Sequence, residues 1–575
     1  MTSFISNNNK YSFPQLLAQD RRLSIDFIYA QKYHINIMTY IVSNYIILNQ
    51  LGGAKRKWTT LEHNGVLFPP EYIKHNVPVI YQGQQIILDK DAEELATLYA
   101  KFIETDYVKN RIFNKNFWRD WQQVLGKNHQ IQNLEDVNFN LIHDLLLQQK
   151  EEKKLLPKQD KAQFEEKYKF AIVDGKSQPV GNFRIEPPGI FLGRGCNPKL
   201  GKIKKRIYPE DIIINIGAEA KVPDPLPGHK WKDVIHDKTV EWLASWKDDI
   251  TGKTKYVWLG AQSDLKALSD MYKFDLARKL KRKIKEIRRQ NDINMQSDDP
   301  ILRQVATALY FIDNFSLRVG NEKGDDEADT VGVTSLRVEH IQLLDNNQIR
   351  LDFLGKDSVR YNRVLTLDPI VYQNIKEFVA NKEFSDQLFN LINPADINKY
   401  LQNFMKNLTA KVFRTYNASR VFQKELKKIN TRLGSYKESD KVNLLLDEFN
   451  KANAKVAMLC NHQKNITKSN NQQIENLDRM IKNAKLKIRK AKKAKKKNPD
   501  RIAKMEATLK KLKAKRVLKI ELKNISLGTS KVNYIDPRIT IAFLKRHEIP
   551  IDKIFSKTLQ EKFKWAHDTD INFVF

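Results

Sequence analysis

The stretch SKVNYIDPR, Ser530 to Arg538, sets Tyr534 just before the turn-forming pair Asp536-Pro537 and behind a long lysine-rich tract. A phenol is a competent nucleophile, but with a pKa near 10 it is mostly protonated at neutral pH and needs cations close by. Positive charge gathered around such a group suits an anionic target, and a phosphodiester is the natural one. Displacement at phosphorus then needs cations on the non-bridging oxygens, an acid for the leaving oxygen, and a further hydrogen-bond donor. Arginines suit the first role, because their fixed forks match phosphate oxygens and stay charged. A lysine suits the second, since burial among other cations lowers its pKa towards the working range. Histidine suits the third. The chain offers a candidate for every part: Arg318 in SLRVGNE, Lys356 in FLGKDS, Arg414 in KVFRTYNAS, His462 in LCNHQ, and Tyr534. Against 100 Lys+Arg and 11 His, spacing alone does not single these residues out. A tyrosine packed on the surface of a small C-terminal lobe is the plain alternative.

Other machinery is missing from the sequence. There is no GxxxxGK[ST] loop, which argues against P-loop nucleotide hydrolysis, and no HExxH or CxxC spacing, which argues against zinc. The acidic group in GDDEADT (Asp325, Asp326, Glu327, Asp329) offers carboxylates to a hard cation, but charge balance beside Arg318 is the preferred reading.

Five hundred and seventy-five residues are too many for one core, so three or four domains are expected. The formal net charge of +32 favours a polyanionic partner, nucleic acid before membrane. Two cysteines, Cys196 and Cys460, make no disulfide framework and point to a reducing compartment. The run INIMTYIVSNYIILNQLG, residues 35 to 52, is broken by Ser43, Asn44, Asn49 and Gln50 and falls short of the roughly 20 apolar residues of a membrane span. It lies too far from Met1 for a signal peptide and reads as a buried or interfacial helix.

These chemical residues need elements to hold them. From Trp58 to about Gly260 the pattern is α+β: AEELATLYAKFIE and KNFWRDWQQVL read as helices, DIIINIG and KYVWLG as strands. From 264 to 465 helices dominate, including LARKLKRKIKEIRRQ and a segment starting at Pro300 with Asp298 or Asp299 as its cap. A smaller strand set, SLRVEHIQLLD and QIRLDFLGKDSVRYNRVL, turns at LGKDS. Between 473 and about 523, Ile474, Leu477, Ile481, Ala484 and Ile488, then Ile502, Met505, Leu509 and Leu512, form the seam of two helices that return on each other around Asn498-Pro499-Asp500. Their outer positions are nearly all Lys or Arg, either a solvated face or a sequence-blind grip on a nucleic-acid backbone. NYIDPRITIAFLKRHEI reads as turn then helix.

Several of these motifs, in order, resemble the type IB DNA topoisomerases of the eukaryotic kind. They are EPPGIFLGRG, YPEDIIINIG, PGHKWKDVIHD, SLRVGNEK, SLRVEHI, FLGKDSVRY, LTAKVFRTYNAS, AMLCNHQ and LGTSKVNYIDPRIT, and the likeness runs from about Trp58 to Phe575. The resemblance implies a multidomain α+β protein forming a DNA clamp. DNA-binding cap subdomains would occupy 56–263 and a mainly helical catalytic subdomain of the tyrosine-recombinase type 264–465. A basic antiparallel coiled-coil linker would follow at 466–523, and a small helical C-terminal lobe at 524–575 would deliver the nucleophile; residues 1–55 have no role assigned. By the same resemblance, Tyr534 attacks one DNA strand, Arg318, Arg414 and His462 stabilise the non-bridging oxygens, and Lys356 protonates the leaving 5′ oxygen. The nick lets supercoils of either sign relax before religation. Arg194, Lys255, Asp357, Thr529 and Asn533 match family positions at the DNA. Neither ATP nor a metal is required, divalent ions acting only as stimulants. The expected partner of a monomer is double-stranded DNA, with no membrane. The compartment is the nucleus in a eukaryotic cell, or a virion or cytoplasmic replication site for a virus. Two departures stand out. The long charged N-terminal tail of many relatives is not seen, leaving KKAKKK at 492–497 as a weak import signal, and GRGCNPK carries Asn197 where relatives often have histidine. A tyrosine site-specific recombinase and a non-catalytic DNA-binding protein are the rival readings.

Overall fold

A computed structural model describes residues 56–155, 165–324, 327–430, 441–463, 468–493 and 499–575. Segment 1–55 with its apolar run, the carboxylates Asp325 and Asp326, and 494–497 of the KKAKKK run lie outside the described residues. The chain divides into two compact units, one of residues up to Leu192 with Lys199–Tyr272, the other of Gly193–Pro198 with Lys273–Phe575.

In the first unit the helical periodicity is realised as Lys90–Ala100 and Arg111–Leu125. Their apolar stripes meet in a core of Tyr99, Phe113, Phe117 and Trp121, with Phe139 packed against them. The first helix stops at Ala100 rather than running on to Glu104, because Thr105 turns the chain by accepting the N–H of Tyr107 to cap a short 3-10 turn. DIIINIG and KYVWLG supply Ile213–Asn215 and Thr254–Trp258 of a four-stranded sheet whose inner strands are Ile213–Asn215 and Trp242–Lys247. Ile212, Ile214, Leu243 and Val257 face its core.

The second unit holds most of the long helices. Asp299 caps Pro300–Phe315 by accepting the N–H of Ile301, with Pro300 at the first turn. Helices Ala410–Asn430, Lys441–Leu459 and Pro537–Arg546 are tied by a chain of buried rings. Phe422 meets Phe449 at 5.1 Å between centroids, and Phe449 meets Phe543 at 5.7 Å. Strands Ile341–Leu344, Gln348–Gly355 and Val359–Thr366 form an antiparallel sheet, with Ile349, Leu351 and Phe353 buried at alternate positions. SLRVEH, expected in this strand set, instead makes 3-10 turns at Val333–Ser335 and Val338–His340. There the N–H of Arg337 donates to His340 Nδ1, and its guanidinium is drawn to Asp329 and Glu339.

Lys468–Lys493 and Pro499–Glu521 pack side by side. Ion pairs Asp478–Arg516 and Lys492–Glu506 join positions that converge towards the connection, so the helices run antiparallel. Leu477, Ile481 and Ile488 are buried positions of the first helix, on the seam read from the sequence.

Two glycines set the extended segment that follows Phe315. Gly320, with φ +92°, and Gly332 pack backbone to backbone, while the N–H groups of Val333 and Thr334 donate to the carbonyls of Arg318 (2.9 Å) and Val319 (2.7 Å). A Cβ on Gly332 would come to 2.5 Å from Gly320 and 2.7 Å from the Arg318 carbonyl oxygen. Gly332→Ala is therefore expected to destabilise the protein by about 1–3 kcal/mol, seen as a lower midpoint in chemical denaturation. An unchanged midpoint would show that this close approach carries no constraint.

Candidate active site

The short helix Leu527–Asn533 ends at Tyr534, whose N–H donates to Ser530 O at 3.0 Å. The next helix starts at Pro537, capped by Asp536, which accepts the N–H of Arg538. Tyr534 thus sits on the joint between two helices rather than on a loose loop. Ser419 of the 410–430 helix fixes that joint from below. Its Oγ donates to the Tyr534 carbonyl (3.1 Å) and accepts the N–H of Asp536 (3.0 Å). The buried Asp536 carboxylate is gripped by Arg538, which also reaches Asp275 at 2.8 Å.

Four of the five chemical candidates converge here. Arg318 donates to Tyr534 Oη at 3.2 Å. Arg414, only 5% exposed, lies over the phenol ring with its guanidinium carbon 5.1 Å from the centroid. His462 also lies obliquely against the phenol ring, ring centroids 5.0 Å apart. Its neighbours come from two helix ends that terminate in left-handed residues, Ser316 (φ 52°) before Arg318 and Asn461 (φ 52°) before His462. Arg414 binds both ends through the carbonyls of Ser316 and Cys460.

Charge decides the state of each group. Burial alone pushes the Tyr534 phenol up, but the guanidiniums of Arg414 and Arg318 outweigh it and hold the pKa below the usual value. The same surroundings act in one direction on His462. Burial first, then Arg414 and Arg318, push its imidazole down to about 3, so it is neutral throughout the physiological range. A phenol readied for ionisation, two fixed cations and a neutral imidazole form a receptor for a tetrahedral or pentacoordinate anion.

Lys356 is exposed on the turn between strands Gln348–Gly355 and Val359–Thr366 and lines one cleft with Arg318, Gly332, Arg414 and Asn461. The turn is held by left-handed Asp357 (φ 67°) and Ser358 (φ 56°). Arg194 reaches this turn through an ion pair with Asp357 at 3.0 Å, and Gly195 (φ +61°) leaves room that a Cβ would fill against Ser358 Oγ. Asn533 is exposed beside Tyr534, and Thr529 Oγ1 lies 3.4 Å from Ser526 Oγ on the same helix. Lys255 belongs to the first unit and is bound there to Glu186 (2.6 Å) and Asp248 (2.7 Å). In the acidic group, Asp329 pairs with Arg337 and Glu327 approaches Lys323. Cys196 and Cys460 are both free thiols. Sequence reasoning missed Ser419 and Ser530 and read Asp536 only as a turn former; only the four-residue spacing of Ser530 from Tyr534, one helical turn, gave any sign of a shared face.

Comparison with known proteins is concordant along the chain. Residues 56–259 match the family model described as "Eukaryotic DNA topoisomerase I, DNA binding fragment", 262–495 match "Eukaryotic DNA topoisomerase I, catalytic core", and 506–575 match "C-terminal topoisomerase domain". The chain is 44% identical to DNA topoisomerase 1 beta of Arabidopsis thaliana over 556 residues, 91% of this chain and 60% of that protein. It is 43% identical to DNA topoisomerase 1 of Caenorhabditis elegans over 544 residues, 89% of this chain and 67% of that one. With DNA topoisomerase 1 of Homo sapiens the identity is 41% over 548 residues, 89% and 71% of the two chains. The chain spans about 60% of the length of the plant relatives.

The two guanidiniums set the pH at which the phenol ionises. Arg318→Gln removes a cation that favours phenolate, so the Tyr534 pKa should rise and ionisation begin at higher pH. Ultraviolet difference titration of each background against its Tyr534→Phe counterpart reads this one phenol. An unmoved titration would place the depression elsewhere than in these guanidiniums.

Proposed function

The chain belongs to the eukaryotic DNA topoisomerase I family, and from that premise we propose that it is a type IB enzyme relaxing positive and negative supercoils in double-stranded DNA. The single observation carrying this reading is the convergence of Arg318, Arg414 and His462 on the Tyr534 phenol. In the proposed reaction Tyr534 Oη, its proton passing to water, attacks the scissile phosphorus as the bond to the 5′ oxygen breaks. The product is a 3′-phosphotyrosine and a free 5′-hydroxyl. Arg318 and Arg414 neutralise charge on the non-bridging oxygens, and the neutral His462 donates a hydrogen bond to one of them. Lys356 supplies the proton to the leaving 5′ oxygen.

The ester keeps the energy of the broken bond, so religation by the 5′-hydroxyl needs neither ATP nor a required metal. Between the two steps the free end rotates. Arg194, Lys255, Asp357, Thr529 and Asn533 are assigned to the DNA, Lys255 after exchanging one of its carboxylate partners for a phosphate. The five-part division read from the sequence belongs to this proposal, with a cap at 56–263, a catalytic part at 264–465, a basic coiled-coil linker at 466–523 and a tyrosine lobe at 524–575. Together the cap and the linker would clamp a duplex, the lysines of the linker acting on its backbone. The protein is taken to act as a monomer. The relatives above come from cells with nuclei, and the nucleus is accordingly the proposed compartment.

Supercoiled plasmid incubated in EDTA without ATP should relax in steps of one linking number. Tyr534→Phe should abolish relaxation while duplex binding persists. A chain that binds but does not relax plasmid would be the non-catalytic alternative. A requirement for paired specific sites would favour the recombinase, and a Phe variant that still relaxes plasmid would mean another nucleophile.

A further inference from the structure

One buried contact of the site has no part in the scheme above. Ser530 is wholly buried one helical turn before Tyr534, and its Oγ lies 2.7 Å from His462 Nδ1. On the far side of the same imidazole, Nε2 is buried with no hydrogen-bond partner among the described residues. Besides its contact with the Tyr534 ring, the residue is held through its main chain, its N–H donating to Ala457 O (2.8 Å) and its carbonyl accepting from Ser526 N–H (2.8 Å).

One proton sits between Oγ and Nδ1, and its owner fixes the chemistry of the opposite nitrogen. If Nδ1–H donated to Ser530, the hydroxyl proton would need a second acceptor, and among the described residues the Ser530 hydroxyl has no bond except the one to His462. A buried hydroxyl proton left unpaired costs about 1–3 kcal/mol. If Ser530 donates to Nδ1, the hydroxyl is satisfied and the single imidazole proton resides on Nε2, leaving only that N–H unpaired where the other tautomer leaves both the hydroxyl proton and the Nε2 lone pair unpaired. This neutral ring, which feels the charge of both guanidiniums, is then a donor at Nε2, where an incoming anion would satisfy it.

We infer that Ser530 is a positioning residue: its hydroxyl locks His462 in the Nε2–H tautomer and aims that N–H at the non-bridging oxygen of the reacting phosphate. The inference rests on the proposed role of His462 in phosphoryl transfer. Because Ser530 lies in the helix that ends at Tyr534 and its carbonyl accepts the Tyr534 N–H, delivery of the nucleophile and orientation of the imidazole are one mechanical event. A displaced tyrosine helix would withdraw the phenol and release the tautomer together. No separate segment has to move for the site to switch off.

Two measurements on the full chain separate this inference from the reading beneath it. Nitrogen-15 spectra of histidine-labelled protein report the tautomer without any reaction. The wild type should show His462 with its proton on Nε2, and Ser530→Ala a mixture of tautomers; protonation on Nδ1 in the wild type would overturn the inference. Single-turnover cleavage of a suicide DNA substrate gives the second readout. Ser530→Ala should slow cleavage about 10-fold with duplex Kd unchanged, and on a His462→Ala background it should add less than about 2-fold. Equal slowing on both backgrounds, or no slowing in a folded Ser530→Ala protein, would refute it. A His462→Ala protein that cleaves like the wild type would instead sink the role assigned to the histidine, whatever the tautomer.

Discussion

Two like charges are held against one ring at the heart of this protein, and that arrangement has to be stabilised before any anion arrives. Arg318 and Arg414 both lie on Tyr534, and Arg414 is almost wholly buried. A buried, unpaired guanidinium is costly, and among the described contacts Arg414 has no carboxylate partner. It is bound instead by the carbonyls of Ser316 and Cys460, which close the helices Pro300–Phe315 and Lys441–Leu459. Helix C-termini carry partial negative charge, each worth roughly 0.3–1 kcal/mol to a nearby cation and more when partly buried. Helix dipoles thus hold the cation in place while leaving its charge uncancelled, as a carboxylate would not.

The rest of the second unit follows from that constraint. The two helix ends must meet, and each does so through a left-handed residue that turns the chain into the site, Ser316 towards Arg318 and Asn461 towards His462. The backbone contact of Gly320 with Gly332 then keeps the Arg318 segment from drifting. The phenol is brought in on a short helix anchored through Ser419 and the Asp536–Arg538–Asp275 group. Uncancelled positive charge has two further effects: it lowers the phenol pKa and it keeps His462 neutral. One electrostatic environment therefore prepares the nucleophile and selects a donor rather than a third cation.

Much of this was legible in the residues, unevenly so. Helices such as Arg111–Leu125 and the paired helices at 468–521 announced themselves by periodicity, because their stripes face a core or each other. The turn at LGKDS was readable from its glycine, while the left-handed Asp357 and Ser358 were not. SLRVEH misled as a strand, since ion pairs of Arg337 with residues on both sides outweigh the alternation. The five chemical residues lie on five separate segments, and periodicity says nothing about which ends meet. Their grouping came from a family resemblance, and Ser530 and Ser419 stayed invisible because a small buried hydroxyl has no sequence signature.

The account stands most directly on the identity of the atom that becomes joined to DNA. Trapping the protein on a duplex with detergent, digesting it with protease and sequencing the nucleotide-bearing peptide by mass spectrometry reads that atom. The account predicts a single adduct, a 3′-phosphate ester on Tyr534. An adduct on another side chain, or one carrying a 5′-phosphate, would contradict it.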